Sequence, residues 1–406
     1  MGNAEYKSNG QMRFSFSTVY RFLFCSIVIL LTLGQLQRIQ ITPSIAVYIH
    51  EILMGIFITF SGLHYIFQQK RHGHSRVGGN PGLQVTVALP LEYILVQTLS
   101  WNIFNFQTLP LLYLARWSLY LGFFFSLLYG KKKKWFSQKE IYWSILMIGG
   151  GIAALGIVQY LIWPDTRWLY NFGWDDHYYR LISTLFDPGF TALIIILTTL
   201  FYLGTTRDLL SKYQRFLIVP FFLISILLTY SRAGYLAFLV GLLFLGITKK
   251  SSIFYILFSI FILAIPFLPR PAGEGVKLER TASIEQRIES NQTALQQLTP
   301  LSFLLGQGMY RDQEVSDNGI PQHAKGPDNS FVFLLTSFGI IGVFSFIPLS
   351  VEIVKRLITQ PVLLACFIAW GAHSMFNLSL VYPWAIVMMS LLWTYASENE
   401  FKHRMS

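Results

Sequence analysis

FLIVPFFLISILLTYSRAGYLAFLVGLLFLGIT, residues 216–248, holds a single charged side chain, Arg232. Two apolar runs flank the break at Tyr230-Ser231-Arg232-Ala233-Gly234. An arginine between such runs sits close to membrane depth, where its charge is costly. It therefore marks function there, or else snorkels to the interface. Ser231 and Gly234 beside it suggest a tight re-entry with exposed backbone groups.

Outward from this stretch the same pattern recurs. The chain has 406 residues, 53% hydrophobic and only 13% charged, with a mean hydropathy of +0.48. Soluble proteins carry about 25% charged residues. Repeated apolar runs of about 20 residues read as helices crossing a bilayer. Twelve spans are expected, at 19–36, 44–67, 85–105, 109–129, 141–163, 188–204, 216–230, 233–248, 252–268, 329–350, 361–379 and 381–396. Glu92, Asn102, Asn105 and Arg116 dilute the third and fourth. No small-residue cleavage site follows the first run, so it reads as a span, not a signal peptide. The expected fold is an all-α polytopic membrane protein of about 12 transmembrane helices. Four regions follow: 1–180, N-terminal helices; 181–268, helices carrying Ser231-Arg232; 269–328, a polar loop; and 329–406, C-terminal helices.

The net charge of +11 does not point to nucleic acid, because the basic residues cluster in short loops, as membrane topology predicts. With Lys131 to Lys134 in the cytoplasm, 20 of the 31 basic residues fall on that side. Both termini then face inward. The 164–187 loop, the Ser231-Arg232 turn and the 269–328 loop all face outward. The outer basic residues are 2 Lys and 8 Arg. Guanidinium is planar, bidentate and weakly hydrated, which suits a phosphate-bearing ligand.

Pro269 to Asn329 is the longest polar interval and carries Arg270, Arg280, Arg287, Arg311, His323, Asp328 and Asn329. Ser283-x-x-Gln286 resembles a capping box opening a surface helix. Ile284, Ile288, Leu295 and Leu298 fall near one face of it, and Pro300 should end it. Gly306 and Gly308 mark a turn before Tyr310-Arg311. Cys25 and Cys366 lie in apolar runs and read as packing. His72 and His74 lack a third ligand and read as a solvated loop, as does Asp175-Asp176-His177. No metal site and no cofactor are expected.

Leu227-Leu-Thr-Tyr-Ser-Arg-Ala-Gly-Tyr-Leu236 resembles the Ser-Arg-x-Gly signature of the O-antigen ligase and polymerase superfamily. Three further segments are similar to that family in order. Arg180-Leu-Ile-Ser-Thr-Leu-Phe-Asp-Pro-Gly-Phe190 resembles its Arg…Gly-Thr-Phe-x-Asn-Pro-Asn segment. Ser283-x-x-x-Arg287 with Leu301 to Gly308 resembles Ser-x-x-x-Arg…Pro-Leu-x-Gly-x-Gly. Asp328-Asn-Ser-Phe-Val-Phe-Leu-Leu-Thr-Ser-Phe-Gly-Ile-Ile-Gly342 resembles His-Asn-x-Tyr-Leu…Gly-Ile-x-Gly. Two departures stand out: Asp328 where the family has histidine, with His323 five residues upstream, and Asp187-Pro188-Gly189 where it has Asn-Pro-Asn.

The resemblance implies a C-type glycosyltransferase-like architecture with one large periplasmic loop between helices 9 and 10. It implies glycan transfer from a polyprenyl (undecaprenyl) diphosphate carrier to a lipid A-core or related acceptor hydroxyl, on the outer face of the bacterial inner membrane. An inverting, metal-independent transfer would use Asp328 or His323 as general base. Arg232 and Arg287, with Arg280, Arg311, Arg180 and Asn329, would hold the substrate and its leaving diphosphate. Polymerisation of repeat units is the alternative within the class. A transporter or flippase is the alternative outside it, suggested by His50, Glu51, His64, Glu92, Arg116 and His373. Against transport stand the lack of an internal repeat and the concentration of polar residues in one outer loop.

Overall fold

The computed structural model describes residues 16–42, 45–72, 90–100, 108–205, 212–310 and 327–403. Helices α1 (Phe16–Leu33) and α2 (Ile49–His72) are joined through an antiparallel hairpin, β1 (Arg38–Thr42) and β2 (Ile45–Tyr48), in which Arg38 pairs Tyr48 and Ile39 pairs Val47. Residues 45–48, expected near the start of the second span, thus belong to a hairpin. In β1 isoleucine alternates with Arg38, Gln40 and Thr42, and β2 is rich in β-branched and aromatic residues, which suits a pleat better than a helix.

Residues 90–100 form α3. Then come α4 (Thr108–Lys132), α5 (Gln138–Ile162), α6 (Pro188–Thr205), α7 (Lys212–Leu227), α8 (Arg232–Lys249) and α9 (Ser252–Ala264). The polar loop contributes α10 (Ala282–Gln296) and α11 (Pro300–Leu305). The chain ends with α12 (Ser330–Ser345), α13 (Ile347–Leu357), α14 (Pro361–Ser374) and α15 (Pro383–His403).

Among the described residues six helices are long and apolar enough to cross a membrane: α1, α2, α4, α5, α6 and α8. The pair α12 and α13, bent by 66°, makes a seventh if counted as one span. α7, α9 and α14 are apolar but shorter. The helical membrane class expected from the composition is present; the number twelve remains an expectation.

At the centre stands α6. Ala192 through Leu197 and Leu200 are fully buried, because α6 is wrapped by α5, α7, α8, α14 and α15. A helix apolar all round belongs in such a core. Small residues let its neighbours approach: a Cβ on Gly149 of α5 would fall on Thr198, and one on Gly241 of α8 on Leu200. A smaller cluster of Ile94, Met309, Phe333, Phe338 and Val381 binds α3 and the return limb of the polar loop to α12.

Two loop expectations are corrected. Helix α10 begins at Ala282 with Thr281 as an N-cap that makes no side-chain bond, so Ser283 does not cap it. Pro300 does not stop α10, which ends at Gln296; it opens α11. Thr299 and Ser302 form the reciprocal capping box there, and Pro at the first helical position loses no bond.

Candidate functional site

The site is assembled where the four sequence blocks meet. Helix α7 ends at Leu227, and Tyr230 turns the chain with φ +50°. Ser231 then caps α8, accepting from Gly234 N at 3.2 Å. Gly234 is needed for proximity: a Cβ would stand 2.7 Å from Ala192 Cβ of α6. The carbonyls left at this break are used. Arg180 donates from Nε to Thr229 O (3.1 Å) and from Nη2 to Tyr230 O (3.3 Å), and Leu181 N donates to Leu228 O (2.9 Å). The first block is thereby pinned to the second.

Arg232 turns toward the polar loop. Its Nη1 donates to Leu278 O (3.1 Å) and Arg280 O (2.6 Å), and its Nη2 to Ser283 Oγ (2.7 Å). The serine read as a cap is instead an acceptor for the arginine of the second block. One turn on along α10, on the same face, lies Arg287. Its Nη2 donates to Asn377 Oδ1 at 3.3 Å, and its Nε is 4.0 Å from Asp328 Oδ2. Arg280 folds back on its own turn, donating to the carbonyls of Gly275 and of Lys277 (3.1 Å). That turn rests on Arg180: a Cβ on Gly275 would be 2.9 Å from Arg180 Cδ.

Four guanidinium groups therefore gather from the 180s segment, α8 and the polar loop. They repel one another. Burial and then Arg280 lower the Arg180 pKa to about 9. Arg280 is lowered by burial, then by Arg232 and Arg287. Carboxylates only partly balance them. Asp187 caps the entry to α6, accepting from Phe190 N at 2.7 Å, and burial raises its pKa. The Asp328 carboxyl is raised by burial, held down by Arg287 and pushed up again by Asp175. Position 189 is the meeting point: a Cβ on Gly189 would touch Asp187 Oδ1 (3.2 Å) and Asn377 Oδ1 (3.5 Å). His177 is buried beside the arginines, and burial, Arg180 and Arg280 lower its pKa to about 3.

Asn329 caps α12: its Oδ1 accepts from Phe331 N (2.8 Å) and Val332 N (3.3 Å), while its own N donates to Asn291 Oδ1 of α10 (3.3 Å). Its oxygen is committed to the helix. Arg311 and His323 lie outside the described residues. Among the described residues no group of three or more His, Cys, Asp or Glu is placed to hold a metal ion.

The glycines of the third and fourth blocks meet each other. Gly306 (φ +81°) lies against α12 where Gly339 (φ +65°) breaks the helix. Gln307 N and Gly308 N donate to Thr336 O (2.8 Å) and Ser337 O (2.9 Å). From α3, Tyr93 Oη donates to Leu305 O (3.0 Å) and Phe338 O (2.8 Å), and Gln97 Nε2 to Ser337 O (2.9 Å) and to Leu305 O. The return limb is thus docked halfway along α12.

Sequence reasoning missed Asn377 and undervalued Asp187. Neither lies in the 269–328 loop; Asp187 carries a local helix-cap signal before Pro188, whereas Asn377 meets Arg287 across 90 residues with none.

Residues 216–347 match the family model described as O-Antigen ligase. This segment, about a third of the chain, contains the Ser231-Arg232, Ser283…Arg287 and Asp328…Gly342 blocks. The match supports the O-antigen ligase and polymerase superfamily that the motifs resemble. No curated protein matches the chain.

Proposed function

We propose that this protein is a membrane-embedded glycan transferase of the O-antigen ligase type. It moves a glycan from a polyprenyl diphosphate carrier to an acceptor hydroxyl, such as one on a lipid A core. The reaction takes place on the periplasmic face of a bacterial inner membrane, with both termini cytoplasmic.

The observation that carries this reading is the convergence of Arg180, Arg232, Arg280 and Arg287, which outnumber the facing carboxylates of Asp175, Asp187 and Asp328. Such a cluster is costly unless an anion completes it, and a diphosphate is the anion the reaction releases. Arg287 is the group most open to a ligand, since Arg180, Arg232 and Arg280 each hold backbone carbonyls. The acceptor hydroxyl attacks the anomeric carbon and inverts it. Asp328, or His323 from the neighbouring stretch, removes its proton. Arginine in place of a metal neutralises the leaving group, so chelation should leave the rate unchanged.

The test is complementation of a strain deleted for this gene, with lipopolysaccharide separated on a gel. Wild type should restore the glycan and Arg287→Ala should not. Long glycan stranded on the lipid carrier in the deletion marks a ligase; a core capped by one repeat unit marks a polymerase. Restoration by Arg287→Ala, with activity lost in Glu92→Ala, would move the reading to transport.

A further inference from the structure

We propose that Ser379, His373 and Asn377 form a positioning relay, buried at its far end, that aims the Arg287 guanidinium at the anion. The inference rests on the anion-site reading above and adds residues that lie beyond the matched segment 216–347.

Four hydrogen-bonding groups stand in line. Arg287 Nη2 lies 3.3 Å from Asn377 Oδ1, Asn377 Nδ2 lies 3.3 Å from His373 Nε2, and His373 Nδ1 lies 2.5 Å from Ser379 Oγ. Arginine has donors only, so the amide oxygen of Asn377 must face it. The amide nitrogen, a pure donor, then faces His373 and requires Nε2 to be an unprotonated acceptor. The ring proton therefore sits on Nδ1 and is donated to Ser379. Each step dictates the next, and the donors run one way from Arg287 to Ser379. Such one-directional chains polarise and strengthen their members.

The far end of the chain is rigid. His373 and Ser379 are fully buried, and Trp370 Nε1 donates to Ser379 O at 2.8 Å. The near end is tied to the candidate base. Asn377 O accepts from Ser330 Oγ at 2.6 Å, two residues beyond Asp328, and Ser330 Oγ in turn accepts from Leu380 N at 3.2 Å. Asn377 thus holds Arg287 by its side chain and the start of α12 by its carbonyl. It sets the 4.0 Å separation between Arg287 Nε and Asp328 Oδ2. Packing alone does not call for this arrangement: an apolar residue would fill the His373 site at the end of α14 without a three-member donor chain.

The experiment measures the affinity of the full-length protein in detergent for inorganic pyrophosphate by calorimetry, and glycan transfer in the complemented strain. His373→Leu fills the space but removes the acceptor; His373→Gln keeps one. His373→Leu should weaken pyrophosphate about tenfold, the equivalent of one ordinary hydrogen bond. His373→Gln should stay within about threefold of wild type on the same scale. In an Arg287→Ala background, already weakened, His373→Leu should add nothing, because the group it aims is gone. Asn377→Ala, at a half-buried position, should reproduce His373→Leu, and it serves if that core variant melts early.

Full affinity in both His373→Leu and Asn377→Ala overturns the relay, as does an additive loss in the Arg287→Ala background. Wild-type protein that does not bind pyrophosphate overturns the anion site itself and the relay with it. That result is distinct from one in which only the coupling fails.

Discussion

Arg232→Ala isolates what the arginine between α7 and α8 does. In the structure its guanidinium makes three hydrogen bonds to the polar loop, two to carbonyls and one to Ser283 Oγ. Hydrogen bonds from a charged donor contribute about 1.5–3 kcal/mol each. Arg232 is half-buried and water can replace part of this, so about 3 kcal/mol is the reasonable loss for the three together. The loop at 276–287 should then open about a hundredfold more often. Hydrogen–deuterium exchange read by mass spectrometry, in detergent or nanodiscs, would show peptides from this region exchanging about 10²-fold faster, while α6 peptides stay unchanged. Arg232→Lys should fall between, since an ammonium keeps the charge but cannot span three acceptors with a planar fork. Transfer activity should track loop opening across the two variants. If Arg232→Ala abolished transfer with no change in exchange at 276–287, the role of Arg232 in holding the loop would be refuted, and it would have to act on the ligand alone.

Gly339→Ala should be destabilising. Its φ of +65° with ψ of −179° belongs to a region used almost only by glycine, and a Cβ would stand 2.4 Å from Gly306 N and from Leu304 O. Strain and overpacking together cost about 2–6 kcal/mol. Gly371→Ala meets nothing within 4 Å and should be neutral or gain up to about 1 kcal/mol; equal melting temperatures for the two would deny the close approach. Glu51→Gln strands Arg116, its partner at 2.6 Å with both side chains nearly buried, at a cost of about 3–5 kcal/mol. Glu51→Gln with Arg116→Met should recover most of the lost melting temperature, and transfer per folded molecule should be unaffected. The Asp328 carboxyl is raised above 3.8 by burial, so if it is the base, activity falls as pH drops through that raised value. An acid limb near 6.5 that survives Asp328→Asn assigns the base to His323 instead. Folded His177, with its pKa lowered to about 3, binds fewer protons than the unfolded chain. Stability should therefore decline as pH falls from about 6.5 toward 3, and His177→Gln should flatten that slope in an acid melting series.

Much of the helical frame was legible in the chain because it depends on local composition. Apolar runs placed α1, α4, α5, α6, α7, α8 and α9 within a few residues. Ser231 and Gly234 announced a tight break between two apolar runs, and Gly306 and Gly308 announced a turn. The hairpin of β1 and β2 was missed because the apolar Ile45-Ala-Val-Tyr48 beside an apolar helix reads as more of the same span, which left Arg38–Thr42 as a loop. The break in α12 was missed because Gly339 is ordinary in a membrane helix until Gly306 is known to press against it.

The sequence by itself determined a membrane-bound helical protein and a short roster of arginines, since burial in lipid and charge in loops are properties each segment carries alone. Which arginine grips the loop, which stands open beside Asp328, and that Asn377 from the end of α14 faces Arg287 across 90 residues were decided only by tertiary structure. The physical reason is direction. A guanidinium acts through the acceptors its donors reach, and here those acceptors are carbonyls, a serine and an amide on elements far away in the chain.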